Sequence, residues 1–165
     1  MPTLVEIVPY DPEWPSHFSG AEAALRMTLG SIVLAIDHIG STAIPRMSAK
    51  PIIDIDVTLL SLSAIPAASA SLIEAGYEPR GNRYDADVWA FMLQSIAPKL
   101  RVYLCPPNNL SHERRMVFRD YLRHHEDAAE VYSALKKRLA EQFPYNGDRY
   151  TSEKSEFVQE VLGKS

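Results

Sequence analysis

The sequence predicts an α+β fold: a mixed sheet with flanking helices, followed by a helical C-terminal part. Three observations carry this. Short β-branched or apolar runs alternate with helix-period runs up to about residue 105. After Pro106-Pro107 only helical periodicity remains. The 165 residues, 46% hydrophobic and 23% charged, suffice for one core of ordinary size and contain no repeat, low-complexity tract or linker. Residues 1–165 therefore read as one domain.

Taken in order, residues 3–8 (TLVEIV) read as a short strand. Asp11-Pro12 opens a helix in which Trp14, Phe18, Ala21, Leu25 and Leu29 recur at helical spacing, and Gly30 stops it. Residues 32–39 (IVLAIDHI) read as a strand ending in a turn at Gly40-Ser41-Thr42. Residues 52–60 (IIDIDVTLL) are apolar and β-branched apart from two aspartates, hence a strand. A helix over 62–75 ends at Gly76, and strands follow near 76–80, 87–93 and 99–105. Three helices complete the chain. Their apolar faces are Val117, Phe118, Tyr121 and Leu122; then Ala128, Val131, Tyr132, Leu135 and Leu139; then Phe157, Val158, Val161 and Leu162. Trp14 and Trp89 read as core residues.

Composition narrows the function. Seventeen Lys and Arg against twenty-one Asp and Glu give a net charge of −4, which argues against extended nucleic-acid binding. A single cysteine, Cys105, excludes an intramolecular disulfide framework and any Cys-cluster zinc site, and reads as a buried small hydrophobe. No apolar run reaches the ~18–20 residues of a membrane span. The N-terminus lacks the marks of a signal peptide, so the expected compartment is the cytoplasm.

The chemistry concentrates between residues 38 and 56. Asp54 and Asp56 share one face of their strand, with Cα atoms roughly 6–7 Å apart. At an effective dielectric near 20, charges ~6 Å apart repel by roughly 3 kcal/mol. Water, protonation of one group or a bound cation can relieve that repulsion. Carboxylates without a His or Cys partner at ligand spacing suit a hard cation such as Mg²⁺ or Mn²⁺. Upstream, Gly40 permits a tight turn and close backbone approach, Ser41 and Thr42 offer hydroxyls, and backbone N–H groups at a following helix start could hold phosphate oxygens. A phosphate cradle followed by a metal-holding strand is the arrangement that phosphoryl or nucleotidyl transfer requires. Against this stands the plain reading of Asp-x-Asp as a solvated strand face.

The motifs Val8-Pro9-Tyr10-Asp11-Pro12 with Trp14, His38-Ile39-Gly40-Ser41-Thr42-Ala43-Ile44-Pro45 and Ala49-Lys50-Pro51-Ile52-Ile53-Asp54-Ile55 recur with Phe118-Arg119-Asp120-Tyr121-Leu122-Arg123, Tyr132, Leu135-Lys136, Tyr150, Lys154 and Phe157. In these the chain resembles the GrpB-like family, whose members belong to the nucleotidyltransferase superfamily and also occur fused to dephospho-CoA kinases. The resemblance covers nearly the whole chain. It implies a nucleotidyltransferase-like mixed sheet flanked by helices, Gly40 and Ser41 on a nucleoside triphosphate, and Asp54 and Asp56 on catalytic metal. Nucleotidyltransferases usually add a third carboxylate from a later strand. Here that strand, 100–104, carries Arg101 and Tyr103 on one face, and Asp85 and Asp87 are the alternative third acids.

The basic segment 112–125 places Arg115, Arg119 and Arg123 on one helical stripe. Arg115 and Arg123 read as a solvated face with local pairs, whereas Arg119 lies within a family motif and is a candidate for phosphate. Lys154, placed on the apolar side of the last helix, either snorkels to the rim or reaches a bound anion, and the resemblance, which retains Tyr150 and Lys154, implies the anion; Lys136 is a weaker form of the same argument, and Lys50 either balances phosphate charge or is an exposed loop lysine. His38 reads as a hydrogen-bonded turn histidine, and His124-His125 as complements to a helix dipole. The expected function is Mg²⁺-dependent (or Mn²⁺-dependent) transfer of a nucleotidyl group from a nucleoside triphosphate to an unknown acceptor. The missing third acid motivates the alternative of a non-catalytic module that keeps the fold and binds a nucleotide, a CoA-like ligand or another protein.

Overall fold

A computed structural model describes residues 4–83 and 86–164. Its centre is a five-stranded sheet of β1 (Val33–Ile39), β2 (Ile52–Leu59), β3 (Glu78–Asn82), β4 (Trp89–Leu93) and β5 (Lys99–Cys105), in the order β1-β2-β5-β4-β3. β2 and β5 run parallel and every other neighbouring pair is antiparallel, so the sheet is mixed as expected.

The alternation of residues along β2 and β5 divides the sheet into two unlike faces. Ile53, Ile55, Val57 and Leu59 share one face with Leu100, Val102 and Leu104; all are buried. Against this face pack α1 (Trp14–Leu29) through Trp14, Ala21, Leu25 and Leu29, and α2 (Ile65–Glu74) through Ile65, Ala68 and Leu72. Burying each of the Val, Leu and Ile side chains is worth about 1.5–3 kcal/mol, so this face anchors the sheet. The opposite face presents Asp37 and Ile39 on β1, Asp54, Asp56 and Thr58 on β2, and Arg101, Tyr103 and Cys105 on β5.

Four helices lie on this polar side: α3 (Leu110–His124), α4 (Glu126–Gln142), α5 (Gly147–Glu153) and α6 (Ser155–Lys164). They share a core of Leu122, Ala129, Tyr132 and Val161 with Ile44 and Met47. Val117 and Val131, expected inward, are exposed, because Phe118 and Tyr132 carry the contact with the neighbouring helices. Three helices were expected and four are found, since the chain breaks at Lys154 between α5 and α6.

Residues 4–8 form no strand of the sheet. Val5 donates its N–H to Pro144 and packs against Leu139 and Tyr150, and Val8 makes an isolated bridge with Ala49. The apolar run TLVEIV serves helix packing instead, and Thr3 lies outside the described residues. Trp14, Cys105 and most of the expected strand interior are buried, and Trp89 packs against the same core. No helix among the described residues is long and apolar enough to cross a membrane.

Candidate functional site

The polar sheet face holds two adjoining charge clusters of different character. The first is centred on Asp56, whose side chain is fully buried. Arg115 grips it with two hydrogen bonds, Nε to Oδ2 at 3.1 Å and Nη2 to Oδ1 at 2.9 Å. His112 donates from Nδ1 to Oδ2 at 2.8 Å, and its Nε2 lies 3.7 Å from Asp37 Oδ2. Asp37 stands directly across from Asp56 in the β1–β2 register. Both cations come from the first turns of α3, which Asn109 caps by accepting the N–H of His112. Arg115 also lies over the Tyr103 ring, 4.5 Å from its centroid. The hydrogen bond to Asp56 raises the pKa of His112 against the opposing effect of burial. Burial pulls Arg115 down, but the charge and hydrogen bonds of Asp56 outweigh it. The Asp56 carboxylate is therefore fully engaged by side-chain donors from α3.

The second cluster surrounds Asp54 and is not neutral. Asp54 keeps 22% of its side chain exposed and meets Arg101 Nη1 at 3.4 Å. Burial pushes its pKa up, while Arg101 and Arg115 pull it down. Around it gather Lys50 from the segment before β2, Lys136 from α4 and Lys154 from the α5–α6 junction. Lys50 and Lys154 both place Nζ 4.5 Å from the centroid of the buried Tyr150 ring. Lys136 lies over Tyr132 and donates to the Ser48 carbonyl. All three lysines are depressed. Burial and Lys50 bring Lys154 down to about 8. Burial and Lys154 bring Lys136 down to about 6. Burial and Arg101 lower Lys50. In each case Asp54 works in the opposite direction, so one carboxylate serves three lysines and an arginine.

Gly40 closes the floor of this second cluster. Its backbone has φ 73° and ψ −172°, a conformation almost confined to glycine. A Cβ there would lie 2.8 Å from Asp54 Oδ2. Gly40→Ala is therefore expected to destabilise the fold by about 1–3 kcal/mol through backbone strain alone, and to displace the Asp54 carboxylate. Thermal denaturation should show a drop of several degrees; an unchanged melting temperature would contradict the strain. Ser41 follows, its side chain within hydrogen-bonding reach of the Tyr132 hydroxyl.

The structure thus brings Gly40, Ser41, Lys50, Asp54 and Lys154 together, with Asp56 beside them. Thr42 and Arg119 lie apart. Thr42 Oγ1 pairs with His38 Nε2 at 2.9 Å, and His38 stacks on Phe18. Burial, with Arg123 and Arg119 nearby, lowers His38 to about 4, so it is a neutral hydrogen-bonded histidine as expected. Arg119 donates from Nη1 to the His38 carbonyl and pairs with Asp120, and Arg123 donates to the Ala43 carbonyl. These groups line a cleft of about 520 Å³ between α1, the β1 edge and α3. Cavity size points to that cleft and charge points to the lysines. We place the candidate site at the lysines, because the cleft arginines already spend donors on backbone carbonyls while the lysines have too little counter-charge.

Arg115 and Arg123, expected on a solvated face, instead bind Asp56 and the Ala43 carbonyl; the α3 stripe turns toward the sheet and the turn after β1 rather than toward solvent. Asp87 is exposed in the β3–β4 connection, and Asp85 lies outside the described residues. Asp37, His112 and the pairing of Arg101 with Asp54 were not singled out from the sequence. The alternation that places Asp37 on the same strand face as Ile39 is the only local signal for them.

A mixed sheet with an Asp-x-Asp strand beside a Gly-Ser turn defines a protein of nucleotidyltransferase-like fold. Among solved structures, the Cid1 poly(U) polymerase bound to MgATP aligns with 86% of this chain and 46% of its own, with a TM-score of 0.60 and 16% identity, a likeness of fold. The chain belongs to the GrpB family, whose model, described as GrpB protein, matches residues 4–164. The crystal structure of the conserved protein GrpB from Enterococcus faecalis aligns with 96% of this chain and 98% of its own, with a TM-score of 0.85 and 28% identity. UPF0157 protein YqkA of Bacillus subtilis is 36% identical over 155 residues, 94% of this chain; the chain spans 45% of YqkA. A dephospho-CoA kinase of Mycolicibacterium paratuberculosis is 41% identical over 87 residues, 51% of this chain and 21% of the kinase.

The fold relatives raise the question of a divalent metal. Both oxygens of Asp56 already accept hydrogen bonds from Arg115, one of them also from His112, and Arg101 stands beside Asp54. Among the described residues, no group of three His, Cys, Asp or Glu side chains converges to hold a metal ion. As arranged, these residues do not fit Mg²⁺ or Mn²⁺.

Proposed function

We propose that the chain binds the polyphosphate of a nucleoside triphosphate against Gly40-Ser41, with Lys50, Lys154 and Arg101 facing the anion and Lys136 buried behind them. The carrying observation is the charge balance at Asp54: three depressed lysines and an arginine share one carboxylate. An anion placed there would restore the lysines to their ordinary charged state and offset their mutual repulsion. The fold supports the choice of nucleotide, since the Cid1 relative is bound to MgATP.

Calorimetric titration tests this with three probes: a nucleoside triphosphate, inorganic tripolyphosphate and the unphosphorylated nucleoside. The first two are expected to bind and the third is not, and the affinity is expected to fall as salt is raised. Equal affinity for the nucleoside and its triphosphate would refute the reading.

A second reading is Mg²⁺-dependent nucleotidyl transfer to an acceptor, using Asp54 and Asp56. One observation favours it: Asp37, Asp54 and Asp56 occupy neighbouring positions on one sheet face. Transfer of labelled nucleotide that requires Mg²⁺ and is lost in Asp54→Asn would establish it. No transfer to any of a panel of hydroxyl and phosphate acceptors would leave binding as the function.

A further inference from the structure

We infer that this anion site works without a divalent metal, because Arg115 and His112 hydrogen-bond Asp56 and Arg101 stands at Asp54, so both β2 carboxylates are already taken by side-chain donors. The inference rests on the polyphosphate reading above and goes past it, by assigning the ligand as a metal-free phosphoanion.

Asp56 is locked from three elements. It sits on β2, its guanidinium partner comes from α3, and that guanidinium is held over Tyr103 of β5. His112 is 16% exposed and Arg115 29%, while Asp56 is wholly enclosed. A dication at Asp56 would have to displace the guanidinium from both oxygens. That would strand Arg115 and His112 partly buried without their carboxylate, and breaking a buried pair by removing one partner is strongly unfavourable. Mg²⁺ also gives up its hydration water reluctantly. The charge of Arg115 leads the same way: its guanidinium already pairs with both Asp56 oxygens, so a dication there would be set against a resident positive charge. At Asp54 the guanidinium of Arg101 occupies the partner strand's position, and Lys50 and Lys154 add further positive charge. Where metal-dependent phosphate sites use a metal ion to neutralise phosphate charge, this site uses the side-chain cations Arg101, Lys50 and Lys154.

Free Mg²⁺ should then act as a competitor, since it binds polyphosphate in solution and removes the species the pocket takes. Calorimetry of the full chain with inorganic tripolyphosphate, in EDTA and in excess Mg²⁺, reads this directly. Electron paramagnetic resonance of Mn²⁺ reads metal binding without any anion. The expected results are tripolyphosphate affinity at least as high in EDTA as in Mg²⁺, and no Mn²⁺ binding. Tripolyphosphate binding seen only with Mg²⁺ would overturn the inference and leave the polyphosphate reading standing. So would Mn²⁺ binding that is lost in Asp56→Asn or, should that buried variant not fold, in the partly exposed Asp54→Asn. Absence of both tripolyphosphate and Mn²⁺ binding would overturn the metal-free-ligand assignment together with the polyphosphate reading.

Discussion

Lys154→Ala is expected to weaken tripolyphosphate binding by roughly 10- to 100-fold, the loss of one charge-assisted contact of ~1.5–3 kcal/mol. The same variant should raise the melting temperature of the ligand-free protein. The two effects have one cause. Lys154 titrates near 8 because burial and Lys50 disfavour its charge, so near neutral pH the folded protein bears the cost of an ammonium with insufficient counter-charge. A ligand phosphate repays that cost, and alanine removes both the cost and the contact. A lysine with a structural role would behave in the opposite way: its loss would lower the melting temperature and leave anion affinity unchanged. Adding Lys50→Ala should deepen the binding loss further, by less than the product of the two single effects, because the ammonium groups flank one Tyr150 ring and interact. Calorimetry and thermal denaturation of the two single variants and the double variant check all of this.

The halves of the site differ in how far they could be read from the chain. Asp54 and Asp56 are two residues apart, and the period of a strand alone puts them on one face. Gly40 precedes them by 14 and 16 residues, and its contact with Asp54 follows from the antiparallel register that sets the neighbouring Ile39 across from Asp54. These features are local or nearly so. The partners of Asp56 are not: His112 and Arg115 lie 56 and 59 residues away. Their arrival depends on how α3 is set across the sheet, which periodicity within α3 cannot specify. The arginine stripe was visible, but its direction was not. Lys154 illustrates the same limit at short range. Neither proline nor glycine marks the break between α5 and α6, so the segment reads as one helix, whereas the break lets Lys154 turn toward Tyr150. Residues 4–8 failed for a related reason: a short apolar run looks the same whether it pairs in a sheet or packs on helices, and here Leu139 and Tyr150 supplied the packing.

The two clusters also divide the labour of the fold. Asp56, Arg115 and His112 form a closed hydrogen-bonded set tying α3 to the sheet. Asp54 and the lysines form an open set in which stability is given up locally. Sites that bind ions commonly hold such locally unfavourable charge, to be offset when the ligand arrives. Gly40 lies directly against the open set, because a Cβ there would come 2.8 Å from Asp54 Oδ2 and leave the carboxylate no room.

Lys136 gives the site a pH signature. It is 2% exposed and titrates near 6 in the native protein, against 10.5 for an unperturbed lysine. Between those values the unfolded chain holds one proton more than the native one, so native stability rises with pH across that window, by about 1.4 kcal/mol per pH unit for one proton. Below pH 6 both states carry the proton and the penalty stays at its full size. The groups that set this behaviour are Lys154, Lys137 and Lys50, opposed by Asp54, with the Tyr132 ring beneath the amine. Lys136→Met keeps the side-chain length and removes the charge, but leaves the Ser48 carbonyl without that donor, a loss of about 1–3 kcal/mol. At neutral pH the removed penalty, on the order of 5 kcal/mol, is the larger quantity. The variant is therefore expected to be more stable than the parent at pH 7, and the advantage should vanish by about pH 9–10. Urea denaturation of both proteins between pH 6 and 9 reads the two slopes. Parallel curves would show that Lys136 is charged in the native state at neutral pH, and that an anion has one fewer proton to draw into the pocket. Diverging curves, together with net proton uptake when tripolyphosphate is titrated in buffers of different ionisation enthalpy, would tie the buried amine to the ligand it stands behind.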